Sequence, residues 1–319
     1  MTSDNSGFFV IKEYIKNALQ NKVVLLLIGT SVFMILFRIF LPFLNFSYLI
    51  TYSKDIDFHI LYEGFQNGLI DFYKPIDFEN LPEGVPNWPP YYLYYWYFIF
   101  FPVAILPPEI GLYVWDILRI IFTCIVVAEA PKMFKNKNDR FMFYLLLFIG
   151  YLIDVWYNNT NFLILFFMFL SYRYLEKEKF WISGIFFMLS MYKVNSLLFL
   201  PVILLTRKVK LKQIYYYLVP LLIAFIPYFI FPDYLTQMLQ NWAYEDEFIK
   251  ALTPIEGILW KALQPSHLVY YGFLYVVFIE GLKEGKNKNR IRIIVLVLLA
   301  SYYVYMIIVT WIIPGNIRV

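Results

Sequence analysis

Residues Val23–Ile50 read VVLLLIGTSVFMILFRIFLPFLNFSYLI, an almost unbroken apolar run that is followed within a few residues by Lys54-Asp-Ile-Asp-Phe-His59. The run exceeds the ~20 residues a helix needs to cross a bilayer. It is too long for a cleaved signal peptide, and no small-residue cleavage site follows it, so it reads as a retained signal anchor. Working outward from it, further spans are expected at 110–130, 141–156, 161–175, 213–232, 266–282 and 293–313. Of the 319 residues, 61% are hydrophobic, 22% aromatic and only 16% charged, against about 45–50% apolar and about 25% charged in a soluble domain. No soluble core of this size hides so much apolar surface, and lipid is therefore the solvent. The expected fold class is all-α, a polytopic transmembrane helical bundle with about seven full spans. It forms a single domain over 23–319 without detectable repeats, preceded by a polar cytoplasmic segment at 1–22.

Charge sets the orientation. Most of the 27 Lys and Arg residues fall in short tracts: Lys12, Lys16 and Lys22; Lys132 to Arg140; Arg173 to Lys179; Arg207 to Lys212; and Lys283 to Arg292. The positive-inside rule places these tracts in the cytoplasm. The acid-rich loops 51–89 and 233–265 then face outside. Two apolar runs, 90–106 and 110–130, lie between an outer and an inner segment, so one of them cannot span. The first is short, carries Tyr91, Tyr92, Tyr94, Tyr95, Trp96 and Tyr97, and ends in Pro107-Pro108. Tyr and Trp favour the interface, which makes it a helix embedded in the outer leaflet. The run Trp181 to Leu205 has basic tracts at both ends and reads as a hairpin of two short helices broken near Lys193-Val194-Asn195. Irregular backbone at membrane depth lies against protein or a wet cavity.

The candidate site residues follow from that layout. Asp55 and Asp57, just beyond the first span, can hold a divalent cation, or one of them can act as a general base on a hydroxyl; carboxylates at a membrane boundary are also often merely solvated. Lys193, at the break, is an intramembrane ammonium placed to meet an anion such as a phosphate, or else it snorkels or pairs with Asp116 or Asp154. Asp116 and Arg119, three apart on one helix, can neutralise each other. Tyr157 to Asn161 forms an outer turn whose amides suit sugar hydroxyls, although Asn is also a routine turn residue. His267 opens a span at the outer face, where it can bind a phosphate, shuttle a proton or sit as a satisfied boundary residue. With only Cys124, and with His59 and His267 far apart, no disulfide framework or zinc cluster is expected. No nucleic-acid-binding pattern is present.

Taken in order, these segments resemble the multi-spanning glycosyltransferases of the GT-C superfamily, above all glycosyltransferase family 87 and the catalytic subunit of glycosylphosphatidylinositol mannosyltransferase I. Asp57-Phe-His-Ile-Leu-Tyr62, with Gly68 and Tyr73 after it, is similar to the opening acidic loop of those proteins. Trp88-Pro-Pro-Tyr-Tyr-Leu, continuing through Pro102 to Pro107, resembles their proline tract, and Gly111-Leu-Tyr-Val-Trp-Asp116 the start of the next helix. Asn158 to Asn161 occupies the place of a Gly-Gln-x-Asn turn. Gly184, then Met191-Tyr-Lys193 through Pro201, resembles the hairpin with its Lys-x-x-Pro. Thr253-Pro-Ile-Glu-Gly257 is a weaker echo. Two departures stand out: the Gln of the amide turn is missing, and Asn195-Ser196 stands where a Pro is common.

The resemblance implies an inverting glycosyltransferase that moves a sugar, by family default mannose, from a polyprenol-phosphate donor such as dolichol phosphate mannose. The acceptor is a glycolipid or a lipid-linked saccharide, and the active face is extracellular or lumenal, in a prokaryotic plasma membrane or the endoplasmic reticulum. It implies Asp57 as base with Asp55 next, Lys193 and His267 on the donor phosphate, and His59, Tyr62, Trp88 and Asn161 along the sugar or acceptor path. A divalent cation at Asp55 and Asp57 is permitted but not required. A transporter or flippase for a lipid-linked or anionic substrate is the rival reading; it usually shows inverted repeats. A structural membrane subunit is the third.

Overall fold

A computed structural model describes residues 16, 18–44, 54–66, 68, 70–73, 92–243, 263–282 and 288–307, which are helices and connecting turns without a strand. The first helix, α1 (Lys22–Phe40), is capped by the Asn21 side chain, which accepts from the Val23 N–H at 2.9 Å. Its 19 residues extend about 28 Å, close to the hydrocarbon thickness. It tightens into a 3₁₀ turn at Leu41–Leu44, where Pro42 lacks the N–H a longer helix would need. The described part of the expected span reaches Leu44; residues 45–53, which hold its remainder to Ile50, lie outside the described ones. After α2 (Ile56–Gln66), α3 (Trp96–Ala104) has only nine residues, about 14 Å. That length cannot cross a bilayer, in keeping with the expected embedded helix. Next come α4 (Pro108–Met133), with Pro108 at its start, and α5 (Lys137–Tyr157). Together with α1 extended to Leu44, these two are long and apolar enough to span.

The chain continues through α6 (Asn161–Glu176) and α7 (Phe180–Ser190), and then breaks around Lys193 as expected before a 3₁₀ turn at Val194–Leu198 and α8 (Phe199–Leu205). The expected span 213–232 is not one helix. It is α9 (Tyr215–Ala224) and α10 (Ile226–Ile230), separated at Phe225. Pro227 has no N–H to return to Ile223, and its ring crowds that carbonyl. The surface helix α11 (Pro232–Ala243) follows, then α12 (Leu268–Gly281) after a 3₁₀ turn at Pro265–His267, and α13 (Lys288–Ile307).

The core centres on α12, which is buried on nearly every side from Leu268 to Val277 and packs most extensively on α5. Glycine permits that approach from both directions. A Cβ on Gly150 would sit 2.3 Å from the Val269 nitrogen, and one on Gly272 2.9 Å from the Leu146 Cβ. Gly184 is tighter still: its Cβ would lie 1.8 Å from the Tyr216 carbonyl oxygen, so α7 and α9 touch backbone to backbone. Small residues at crossings and hydroxyls across them are the means by which helices associate in lipid. Accordingly, Ser171 and Ser183 each donate to the other's carbonyl at 2.8 Å, and Tyr217 joins Ser183 at 2.8 Å. Four of the basic tracts also meet: Arg292 pairs with Asp139 at 2.6 Å, Lys208 with Glu176 at 2.5 Å, and Lys132, Arg173 and Lys177 line one cleft.

Candidate active site

Helix α5 ends because Asn158 turns left-handed, with φ 56° and ψ 44°. Asn tolerates that region better than most residues. The N–H groups of Asn158 and Asn159 both close onto the Asp154 carbonyl, so consecutive amide side chains turn into the protein. Opposite them, Asp55 is also left-handed, φ 59°. Its N–H donates to Trp156 and its carbonyl receives the His59 N–H, which starts α2 against the end of α5.

Charge then ties these ends together. Arg38, in the last turn of α1, donates to the Asp55 carboxylate and, at 2.5 Å, to Asp116. Arg119 donates to Asp116 at 2.7 Å and to the side-chain Oδ1 of Asn158, lies 3.4 Å from Asp154, and stacks over Phe162. Asn158 Nδ2 closes the circuit on Asp55 at 3.1 Å. Each of these groups is at most 5% exposed. The expected neutralisation of Asp116 by Arg119 is thus one edge of a larger network, whose other edges reach Arg38 and Asp55.

Lys193 is 6% exposed. It donates to the side-chain oxygens of Asn159 at 2.6 Å and Asn161 at 3.2 Å, and lies 5.5 Å from the Tyr92 ring. It therefore meets amides, not the carboxylate of Asp116 or Asp154. A buried ammonium with neutral partners leaves room for an anion. Asn159 also lines a cavity of about 460 Å³ that is walled by Met34 of α1, Asp57 and Ile60 of α2, Leu152 and Trp156 of α5, and Ser266. Such a space, mostly apolar with a few convergent polar groups, suits an amphiphile.

Asp57 projects on this wall without a hydrogen-bond or ion-pair partner among the described residues, whereas Asp55, two positions earlier, is held by Arg38 and Asn158. Burial pushes the Asp57 carboxyl up to about 6 against the opposing pull of Lys193 and Arg119, so the ammonium is near enough to act on it. His267 is buried beside Ser266, with its Nδ1 3.4 Å from the Asn195 amide at the break. Asn161 is wholly buried and faces Lys193; Asn159 is the amide on the cavity wall. Tyr62 donates its hydroxyl to the Leu106 carbonyl at 2.9 Å, a strut between α2 and the proline turn, and His59 is exposed beside Phe58. Neither belongs to the cavity wall. Trp88 lies outside the described residues. No three His, Cys, Asp or Glu side chains among the described residues converge as metal ligands.

The sequence shows Arg38 only as an intramembrane charge, and Asn158 and Asn159 only as members of the 157–161 turn, without the roles they take here. Their partners are distant in the chain and no periodic pattern links them; the doubled Asn after α5 was the one local signal.

The fold and site are those of a helical membrane bundle in which a carboxylate without a partner among the described residues and a buried cation lie beside one cavity. The family model for glycosyltransferase family 87 matches residues 92–313, well over half of the chain, and the chain belongs to that GT-C-like family. It is accordingly a glycosyltransferase and a membrane protein. The match includes Arg119, the Asn158–Asn161 turn, Lys193 and His267, and begins after Asp57. No curated protein and no solved structure matches the chain.

Proposed function

We propose that the enzyme transfers a sugar, mannose by family default, from a polyprenol-phosphate donor to a hydroxyl of a glycolipid or lipid-linked acceptor on the non-cytoplasmic face, with inversion at the anomeric carbon. The observation that carries this reading is a carboxylate, Asp57, with no partner among the described residues, on the wall of the same cavity as Asn159, whose side chain holds the buried ammonium of Lys193. The Asp57 carboxylate takes the acceptor proton as the acceptor oxygen attacks. The bond from the anomeric carbon to the phosphate oxygen breaks on the opposite side, and the electron pair leaves with the lipid phosphate. Lys193, with His267 beside the break, stabilises the charge that develops there. A base with a pKa of about 6 is ionised at neutral pH yet basic enough to accept a proton. Asp55 holds the start of α2 and is not the base. The meeting of four basic tracts supports a single cytoplasmic end, remote in the chain from Asp57.

Purified protein in liposomes with labelled polyprenol-phosphate mannose and a lipid extract tests the reading. Label incorporated into a saccharide product is the expected result. Movement of the donor across the bilayer without incorporation means a flippase, and neither outcome with a folded protein means a structural subunit.

A further inference from the structure

Asn158 stands between the two halves of the proposed chemistry, and this inference rests on that reading. Its Oδ1 accepts from Arg119 and its Nδ2 donates to Asp55 at 3.1 Å. A guanidinium only donates and a carboxylate only accepts, so a neutral side chain joining them at this point must do both, which an amide does. Asp55 initiates α2 through its carbonyl bond to His59 and so sets where Asp57 emerges two residues further on. On the other side, the next residue, Asn159, holds Lys193 and lines the cavity. The side chain is wholly buried and does not line the cavity that Asp57 and Asn159 wall, so it acts behind that surface. It is the one uncharged member of the circuit that also includes Arg38, Asp55, Asp116, Arg119 and Asp154.

We infer that Asn158 is a positioning residue of the transfer reaction, fixing the separation between the Asp57 carboxylate and the Lys193 ammonium and thereby the alignment of attacking hydroxyl and leaving phosphate. Misplacement of reacting groups by about 1 Å costs up to about 10²-fold in rate.

Two variants separate positioning from folding. Asn158→Gly keeps the left-handed turn, which glycine adopts freely, and removes both side-chain bonds. Arg119 retains Asp116 and Asp154, and Asp55 retains Arg38, so no charge is stranded. Asn158→Asp keeps the turn and the bond from Arg119 but sets a like charge against Asp55. Turnover is measured per binding site titrated with polyprenyl phosphate, across pH, with Asp57→Asn in parallel. The expected result for Asn158→Gly is a fall of roughly 10–100-fold per site, with polyprenyl phosphate affinity within about threefold and the acid limb of the pH profile in place. For Asn158→Asp a comparable fall is expected, with the acid limb moved to higher pH by the added negative charge. Turnover per site within about twofold of the parent in either variant, or a loss matched by the loss of binding sites, overturns the inference; should Asn158→Gly fail to fold, Asn158→Asp decides alone. An Asp57→Asn enzyme with parental turnover would sink the base assignment itself, whereas an inactive Asp57→Asn beside a fully active Asn158→Gly removes only the role of Asn158.

Discussion

Two buried seams hold this bundle, and they are built from opposite materials. Where α5 meets α12 and α7 meets α9, the contact is made by glycines and hydroxyls, backbone against backbone. Where the ends of α1, α4 and α5 meet the start of α2, it is made by three carboxylates, two guanidiniums and an amide. Volume is what the first seam cannot accept; loss of a partner is what the second cannot accept. The cavity walled by Asp57 and Asn159 opens beside the second seam, where charges fix positions through directional bonds.

The contrast breaks most readily at Gly184. Leucine there forces α7 off Tyr216, where even a Cβ would stand 1.8 Å from the carbonyl oxygen, and no folded protein is expected by detergent gel filtration. A leucine variant that elutes and melts like the parent would show that the two backbones are not in contact. Arg119→Met keeps most of the volume and removes the charge. With Asp116 and Asp154 then short of a partner, a loss of roughly 3–5 kcal/mol in unfolding free energy is expected, read by thermal or denaturant melting. A loss below about 1 kcal/mol would make the network ornamental. The smallest effect belongs to Tyr62→Phe. Its hydroxyl binds the Leu106 carbonyl, so stability falls by about 1 kcal/mol and turnover changes little. A tenfold loss of turnover would instead return Tyr62 to the substrate path.

The fold class was legible because lipid imposes a long apolar run that composition cannot conceal, and the charge tracts forced a break at Lys193 and a non-spanning segment before Pro107. Lys193 stood out because an intramembrane ammonium is rare. The division of labour between Asp55 and Asp57 was not legible. Both are carboxylates two positions apart, and only the left-handed turn at Asp55, together with Arg38 from another helix, separates their roles. Asn161 was singled out where Asn159 lines the cavity, since the direction of an amide after a left-handed cap depends on the cap, and the sequence shows only the doubled Asn. Pro227 signals the interruption at Phe225, but prolines are tolerated within transmembrane helices, so the apolar run alone does not distinguish one helix from two.

The shift of Asp57 has two consequences of opposite use. Because its carboxyl ionises near 6 in the folded protein and near 3.8 when unperturbed, the folded state holds its proton longer. The ionised group therefore weakens the fold as pH rises through that interval. Asp57→Asn should accordingly melt no lower than the parent at neutral pH, and lost activity cannot then be ascribed to unfolding.

Turnover of the parent and of Asp57→Asn as a function of pH is the most direct measurement. The parent should lose activity below about pH 6 as its base is protonated, and the folded Asn variant should retain polyprenyl phosphate binding while turning over roughly 10²–10⁴-fold more slowly. A variant within about tenfold of the parent that keeps the same acid limb would contradict the assignment, because another group would then be taking the proton.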